Sequence, residues 1–192
     1  NRALQAAREK RDIREAELFG AVNRVSAFTT PDGALIGLIH FATPTLTGQG
    51  LETLIGRAHH EVFHAHERTT VLPAPDRARL VALAHGLKVL EMPFRNVLKA
   101  VGLDAYGASG TLGNAYRQMW RGRLKGQALR DRLDSEAAAH FVELDYHGFW
   151  SEEQRAPVKD ILDAIYAGTY ARGGASPGTA RHARAASARA GQ

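Results

Sequence analysis

Residues 51–68 read LETLIGRAHHEVFHAHER, and this stretch decides the fold class because its apolar residues recur at helical steps. Steps of three and four residues join Leu51, Leu54, Ile55, Ala58, Val62 and Ala65. Such spacing brings apolar side chains to one face of an α-helix. The pattern therefore predicts an amphipathic helix from Leu51 to about Arg68.

The same helix carries a cluster of histidines, and residues 59–66 read HHEVFHAH. His60 and His64 are four residues apart, so both imidazoles project from one face, one turn apart, where they could bind one metal ion. Glu61 lies beside them and could act as general base on a metal-bound water. The pattern His60-Glu61-x-x-His64 resembles the signature of the zincin metallopeptidases over these five positions. The resemblance implies a zinc-dependent hydrolase, with Glu91 as a candidate third ligand that no surrounding motif supports.

Other features of the cluster argue against a metal site. The longer form of the zincin signature has glycine and histidine where this chain has Glu67 and Thr70. A helical wheel places His60 and His64 opposite the apolar stripe, a position more typical of solvent than of a cleft. The zinc enzyme is therefore the second interpretation.

A further polar group consists of His140, Glu143, Asp145 and His147. His140 and Glu143 are one helical turn apart, whereas His140 and His147 are two turns apart and too distant for a single ion. We interpret this group as the polar end of a helix predicted over residues 127–147.

A basic helix predicted from Ser109 to Lys125 supports the leading interpretation. Its polar face carries Asn114, Arg117, Gln118, Arg121 and Lys125. Arginine recognises guanine, and asparagine or glutamine recognises adenine, by paired hydrogen bonds. A preceding helix from Pro93 to Gly102 adds Arg95 and Lys99 as phosphate contacts. The two helices suggest a helix-turn-helix arrangement, although the turn at residues 103–108 is longer than the usual three or four residues.

The segments at both ends of the chain differ from its centre. Residues 1–19 mix charges of both signs and predict a solvated helix that could bind a protein partner. In residues 22–41, the turn signal Pro31-Asp32-Gly33 separates two β-prone runs and predicts a hairpin. Residues 168–192 are rich in glycine, alanine, serine and arginine, which predicts a disordered basic tail. The expected fold is mainly α: a compact helical domain over residues 20–167 with one β-hairpin near its start.

Composition narrows the function classes. The 192 residues carry a formal net charge of +5 and contain no cysteine. The positive charge favours polyanionic partners. The lack of cysteine excludes disulfide scaffolds and thiolate metal sites. We find no apolar run long enough to cross a membrane and no secretory signal, so we expect a cytoplasmic protein without membrane contact.

These observations leave three functions open. The first is a non-enzymatic nucleic-acid-binding protein without a cofactor, most simply a DNA-binding regulatory or accessory factor that uses the basic helix. The second is a zinc metallohydrolase with His60, His64 and Glu61. The third is a scaffold subunit of a larger assembly, held through residues 1–19.

Overall fold

A computed structural model describes residues 24–29, 35–40, 50–68, 71–103, 105–167 and 170. For residues 24–29 and 35–40 the description covers the backbone alone. The predicted N-terminal helix over 1–19 lies outside the described residues, as does the predicted tail over 168–192 apart from residue 170. Those two predictions therefore stand untested.

Two strands precede the helices. Strand β1 (Arg24–Thr29) pairs antiparallel with β2 (Leu35–His40), with Arg24 opposite His40 and Thr29 opposite Leu35. The predicted turn at residues 31–33 lies outside the described residues. The hairpin over 22–41 thus remains a prediction.

Helices make up most of the described chain, which confirms the mainly α prediction. They are α1 (Leu51–Arg68), α2 (Ala74–Gly86), α3 (Phe94–Ala100), α4 (Leu112–Met119), α5 (Gly126–Tyr146), α6 (Glu152–Arg155) and α7 (Lys159–Tyr166). Short 3-10 turns at Val89–Glu91 and Ala156–Val158 connect some of them. Among the described residues, no helix has both the length and the apolar composition to cross a membrane.

Helix α5 forms the centre of the domain. It is buried without interruption from Ser135 to Asp145, and α1 and α2 pack directly against it. The approach of α1 is close: a Cβ atom added at Gly56 would lie 2.2 Å from Nε2 of His147. A helix buried on all sides cannot keep its polar residues in solvent. Those in the middle of α5 must therefore find partners inside the protein.

The last two helices are separated by a short break. Ser151 caps α6 with a capping box: its backbone N–H donates to the Gln154 side chain, and its hydroxyl accepts from the Gln154 N–H. The 3-10 turn that contains Pro157 separates α6 from α7. Proline cannot supply the backbone N–H that a continuous helix needs at this point.

The predicted basic helix is shorter than expected. Helix α4 begins after Thr111, whose side chain accepts from the Asn114 N–H, and ends at Met119 rather than at Lys125. Gly122, three residues beyond that end, has a φ of 79°, a left-handed conformation that a helix continuing to Lys125 could not contain. Lys125 is instead the N-cap of α5.

Candidate metal centre

A buried polar cluster lies where α1 packs against α5. His60 and His64 of α1 are 4% and 2% exposed, and they meet Glu136, His140 and Glu143 of α5. The expectation that the two histidines face solvent is wrong, because α5 covers the face of α1 opposite its apolar stripe. Both helices contribute polar side chains to this part of their contact.

Three ligand atoms converge within the cluster. His60 Nε2 lies 3.4 Å from Glu136 Oε2, and His64 Nε2 lies 3.5 Å from Glu136 Oε1. Ligand atoms of the three residues all lie within 4.8 Å of one another. Two imidazoles and one carboxylate form a donor set that catalytic zinc sites use, with a fourth position left for water.

The orientation of His64 is set from its other nitrogen. His64 Nδ1 lies 3.1 Å from Ser135 Oγ, and that hydroxyl donates its own hydrogen to Glu67 Oε2. Ser135 Oγ therefore accepts from the Nδ1–H of His64, so Nε2 is the nitrogen that remains to face Glu136. Among the described residues, His64 Nε2 is buried and has no hydrogen-bond partner. A buried nitrogen lone pair aimed at a carboxylate is what a metal ligand needs.

The orientation of His60 is set in a similar way. Its Nδ1 lies 3.2 Å from Glu143 Oε2, so this carboxylate can hold the Nδ1–H while Nε2 faces Glu136. Arg57 Nε lies 3.3 Å from the other oxygen of Glu143, so a positive charge lies beside that carboxylate. Support of the non-ligating imidazole nitrogen by a carboxylate or hydroxyl is a regular feature of histidine–metal sites.

A second donor set overlaps the first. Ligand atoms of His60, His140 and Glu143 also lie within 4.8 Å of one another. This set needs Nδ1 of His60, whereas the first needs Nε2, and one ring would have to lose both protons to serve both. The hydroxyl of Tyr116 lies 2.7 Å from His140 Nε2, and His140 Nδ1 lies 2.9 Å from Glu143 Oε2, so the second set has support of the same kind. We take His60, His64 and Glu136 as the ligand set because it contains both histidines of the His60-Glu61-x-x-His64 pattern, with Glu143 as a supporting carboxylate.

The cluster combines two buried carboxylates with a protonated histidine. Burial lowers the pKa of His60, but its contacts with Glu136 and Glu143 outweigh burial and raise that pKa to about 10. Burial opposes ionisation of Glu136, yet the nearby His64 and His60 hold its pKa well below the ordinary value. The proton on His60 thus supplies one positive charge beside two carboxylates, which Arg57 and Arg132 also contact. A divalent cation would supply two positive charges at the same place and displace that proton.

Of the two glutamates predicted for the zinc site, Glu61 is buried beside His60 in the chain, whereas Glu91 is exposed elsewhere. Glu61 is buried at 7% exposure and follows His60 on the same helix. Glu91 lies elsewhere: its side chain is 72% exposed, in a 3-10 turn, 3.9 Å from the ammonium group of Lys88. The geometry offers Glu136 in its place.

The ligand Glu136 is missing from the sequence-based predictions. Glu136, His140 and Glu143 follow one another at steps of four and three residues, so they share one face of α5. That spacing is visible in the sequence, within a helix that the sequence predicts. What the sequence does not show is that this face packs against His60 and His64.

Comparison with protein-family models, curated proteins and solved structures finds no match to this chain. Its function must therefore be inferred from the chemistry of its own residues.

The predicted nucleic-acid contacts lie on the surface. All seven predicted contact residues are exposed: Arg95, Lys99, Asn114, Arg117, Gln118, Arg121 and Lys125. Arg117 donates to the side-chain oxygen of Asn114 at 3.1 Å, so these two side chains also contact each other. Arg121 and Lys125 follow the end of α4 and do not share its face with the others.

The connection between α3 and α4 differs from a helix-turn-helix. Phe94 N–H donates to the Gly110 carbonyl and Leu112 N–H to the Met92 carbonyl, both at 3.0 Å. These bonds place the N-terminal ends of the two helices side by side. In a helix-turn-helix, a short turn leads from the end of the first helix directly into the second.

Proposed function

We propose that the protein is a zinc-dependent hydrolase whose metal centre consists of His60, His64 and Glu136. One observation carries the proposal: both Nε2 atoms face the same carboxylate, while Ser135 and Glu143 hold the Nδ1 atoms. Zinc bound there would polarise a substrate carbonyl or phosphoryl oxygen and lower the pKa of a bound water.

The chain supplies groups suited to the remaining chemistry. Glu61 is the candidate general base, because it is a buried carboxylate that follows a ligand on the same helix. Burial raises the pKa of Tyr116 well above its ordinary value. Its hydroxyl therefore keeps its proton at neutral pH and acts as a hydrogen-bond donor at the edge of the cluster.

The free-energy cost of burying the polar cluster favours the zinc hydrolase over nucleic-acid binding, because only the cluster needs a ligand to explain it. Burial of three histidines and two glutamates in a helical core costs free energy that apolar residues of similar size would not. Exposed arginines and glutamines, by contrast, are good helix formers that need no ligand to explain them.

Metal analysis of the purified full chain, after equilibration with zinc and removal of unbound metal, tests the proposal. We expect stoichiometric zinc in the unchanged protein and its loss in both His64→Ala and Glu136→Gln. His85→Ala is the matched control, because His85 is exposed and pairs with Asp134 on the surface. Zinc-free protein, or a His64→Ala variant that retains zinc, would contradict the proposal.

Nucleic-acid binding is a second candidate, supported by the exposure of its seven predicted contact residues. If Arg121 reads a base, Arg121→Ala should weaken DNA binding by about 1–3 kcal/mol. Fluorescence anisotropy with duplex DNA at several salt concentrations would measure this change. Lys159→Ala is a suitable control, since Lys159 pairs with Asp163 on α7. Equal affinity of both variants and the unchanged protein would count against this candidate.

A further inference from the structure

The candidate metal centre is buried, but one side chain that contacts it reaches solvent. The ligands His60, His64 and Glu136 are 4%, 2% and 3% exposed. Arg132, one helical turn before Glu136 on α5, keeps 30% of its side chain exposed. The Arg132 side chain is therefore accessible to solvent and also contacts Glu136, a proposed metal ligand.

Two contacts hold the Arg132 guanidinium in place. Its Nη2 atom lies 2.9 Å from Glu136 Oε1. Its Cζ atom lies 5.3 Å from the centre of the Trp120 ring, which itself stacks on Tyr116 with ring centres 5.0 Å apart. A guanidinium over an aromatic ring gains cation–π attraction and loses little water. These two contacts hold the Arg132 guanidinium beside Glu136.

A second arginine adds to the positive charge at this place. Arg68 is exposed at the end of α1, near Arg132 and near the carboxylates of Glu61, Glu67 and Glu136. Metal binding would leave Arg132 with less negative charge beside it, because a dication takes up the charge of Glu136 that now balances Arg132.

We propose that Arg132 binds an oxyanionic group of the substrate, a carboxylate or a phosphoryl group, next to the bond that is hydrolysed. This inference rests on the proposed zinc hydrolase function. The planar guanidinium matches the two oxygens of such a group, and the pair is stronger than a neutral hydrogen bond. The substrates would then be anionic close to the scissile bond.

The test uses the full chain loaded with cobalt(II), whose visible absorption reports changes at the metal. The protein is titrated with inorganic phosphate and, separately, with acetate. We expect Arg132→Gln to weaken binding of at least one of these anions about tenfold. Arg130→Gln should bind both like the unchanged protein, because Arg130 is exposed on the same helix and bonds Gln127.

The outcomes separate this inference from the function on which it rests. If the unchanged protein does not bind cobalt, the proposed metal centre is wrong. If cobalt binds and Arg132→Gln matches the unchanged protein with both anions, the anion site is overturned. Should Arg132→Gln fail to fold, Arg132→Lys takes its place, because it keeps the charge but not the paired geometry. Weaker anion binding by that variant would support the inference, and unchanged binding would overturn it.

Discussion

At the scale of single residues, the histidine tautomers are the decisive feature. A histidine can bind a metal only through an unprotonated nitrogen, and its hydrogen-bond partner determines which nitrogen that is. Ser135 and Glu143 make this choice in the same direction for His64 and His60. As a result both Nε2 atoms are directed at one carboxylate, where a metal would replace the proton that His60 carries in its absence.

This reasoning gives Ser135 a role that can be measured separately from the ligands. In Ser135→Ala, His64 loses the acceptor for its Nδ1–H, so its ring is no longer held with Nε2 toward Glu136. We expect zinc affinity to fall about 10–100-fold, measured by competition with a chromophoric chelator. Ser151→Ala removes an N-cap hydroxyl far from the cluster, so it should cost about 1 kcal/mol of stability while zinc affinity stays the same. Equal zinc affinity of Ser135→Ala and the unchanged protein would show that Ser135 does not position His64.

At the scale of helices, the sequence predicts most elements and misses one of their pairings. The predicted helix from Leu51 to about Arg68 matches α1, and the predicted helix over 127–147 matches α5 within a residue at each end. Periodicity succeeds there because apolar residues recur at helical steps along each helix. It fails beyond Met119, where the positive φ of Gly122 excludes a helix that continues to Lys125, since glycine permits such a break without requiring it.

The same limit explains the error about solvent exposure of the histidines. A helical wheel identifies a polar face, but only tertiary packing decides whether water or another helix covers it. For α1 the cover is a face of α5 that is polar in the same place, with Glu136 and Glu143 opposite the histidines. Two polar faces that match would be visible in the sequence only if the pairing of the helices were already known.

At the scale of the whole molecule, the proposed zinc would join two helices that are far apart in the chain. Helices α2, α3 and α4 all lie between α1 and α5 in sequence. A ligand set divided between α1 and α5 exists only when the domain is folded, so the metal should bind the native state in preference to the unfolded state. Metal binding then becomes part of folding stability.

Thermal unfolding followed by circular dichroism tests this link. With free zinc at about 100 times its dissociation constant, the native state should gain about 2.7 kcal/mol. For a chain of this size, that gain corresponds to a rise in Tm of about 5–10 °C over the chelator-treated protein. Glu136→Gln should lose the rise, because it removes the ligand from α5 while all nine histidines remain in the chain. An equal rise in that variant would mean that zinc binds to histidines without the proposed centre, and the structural link between α1 and α5 would be refuted.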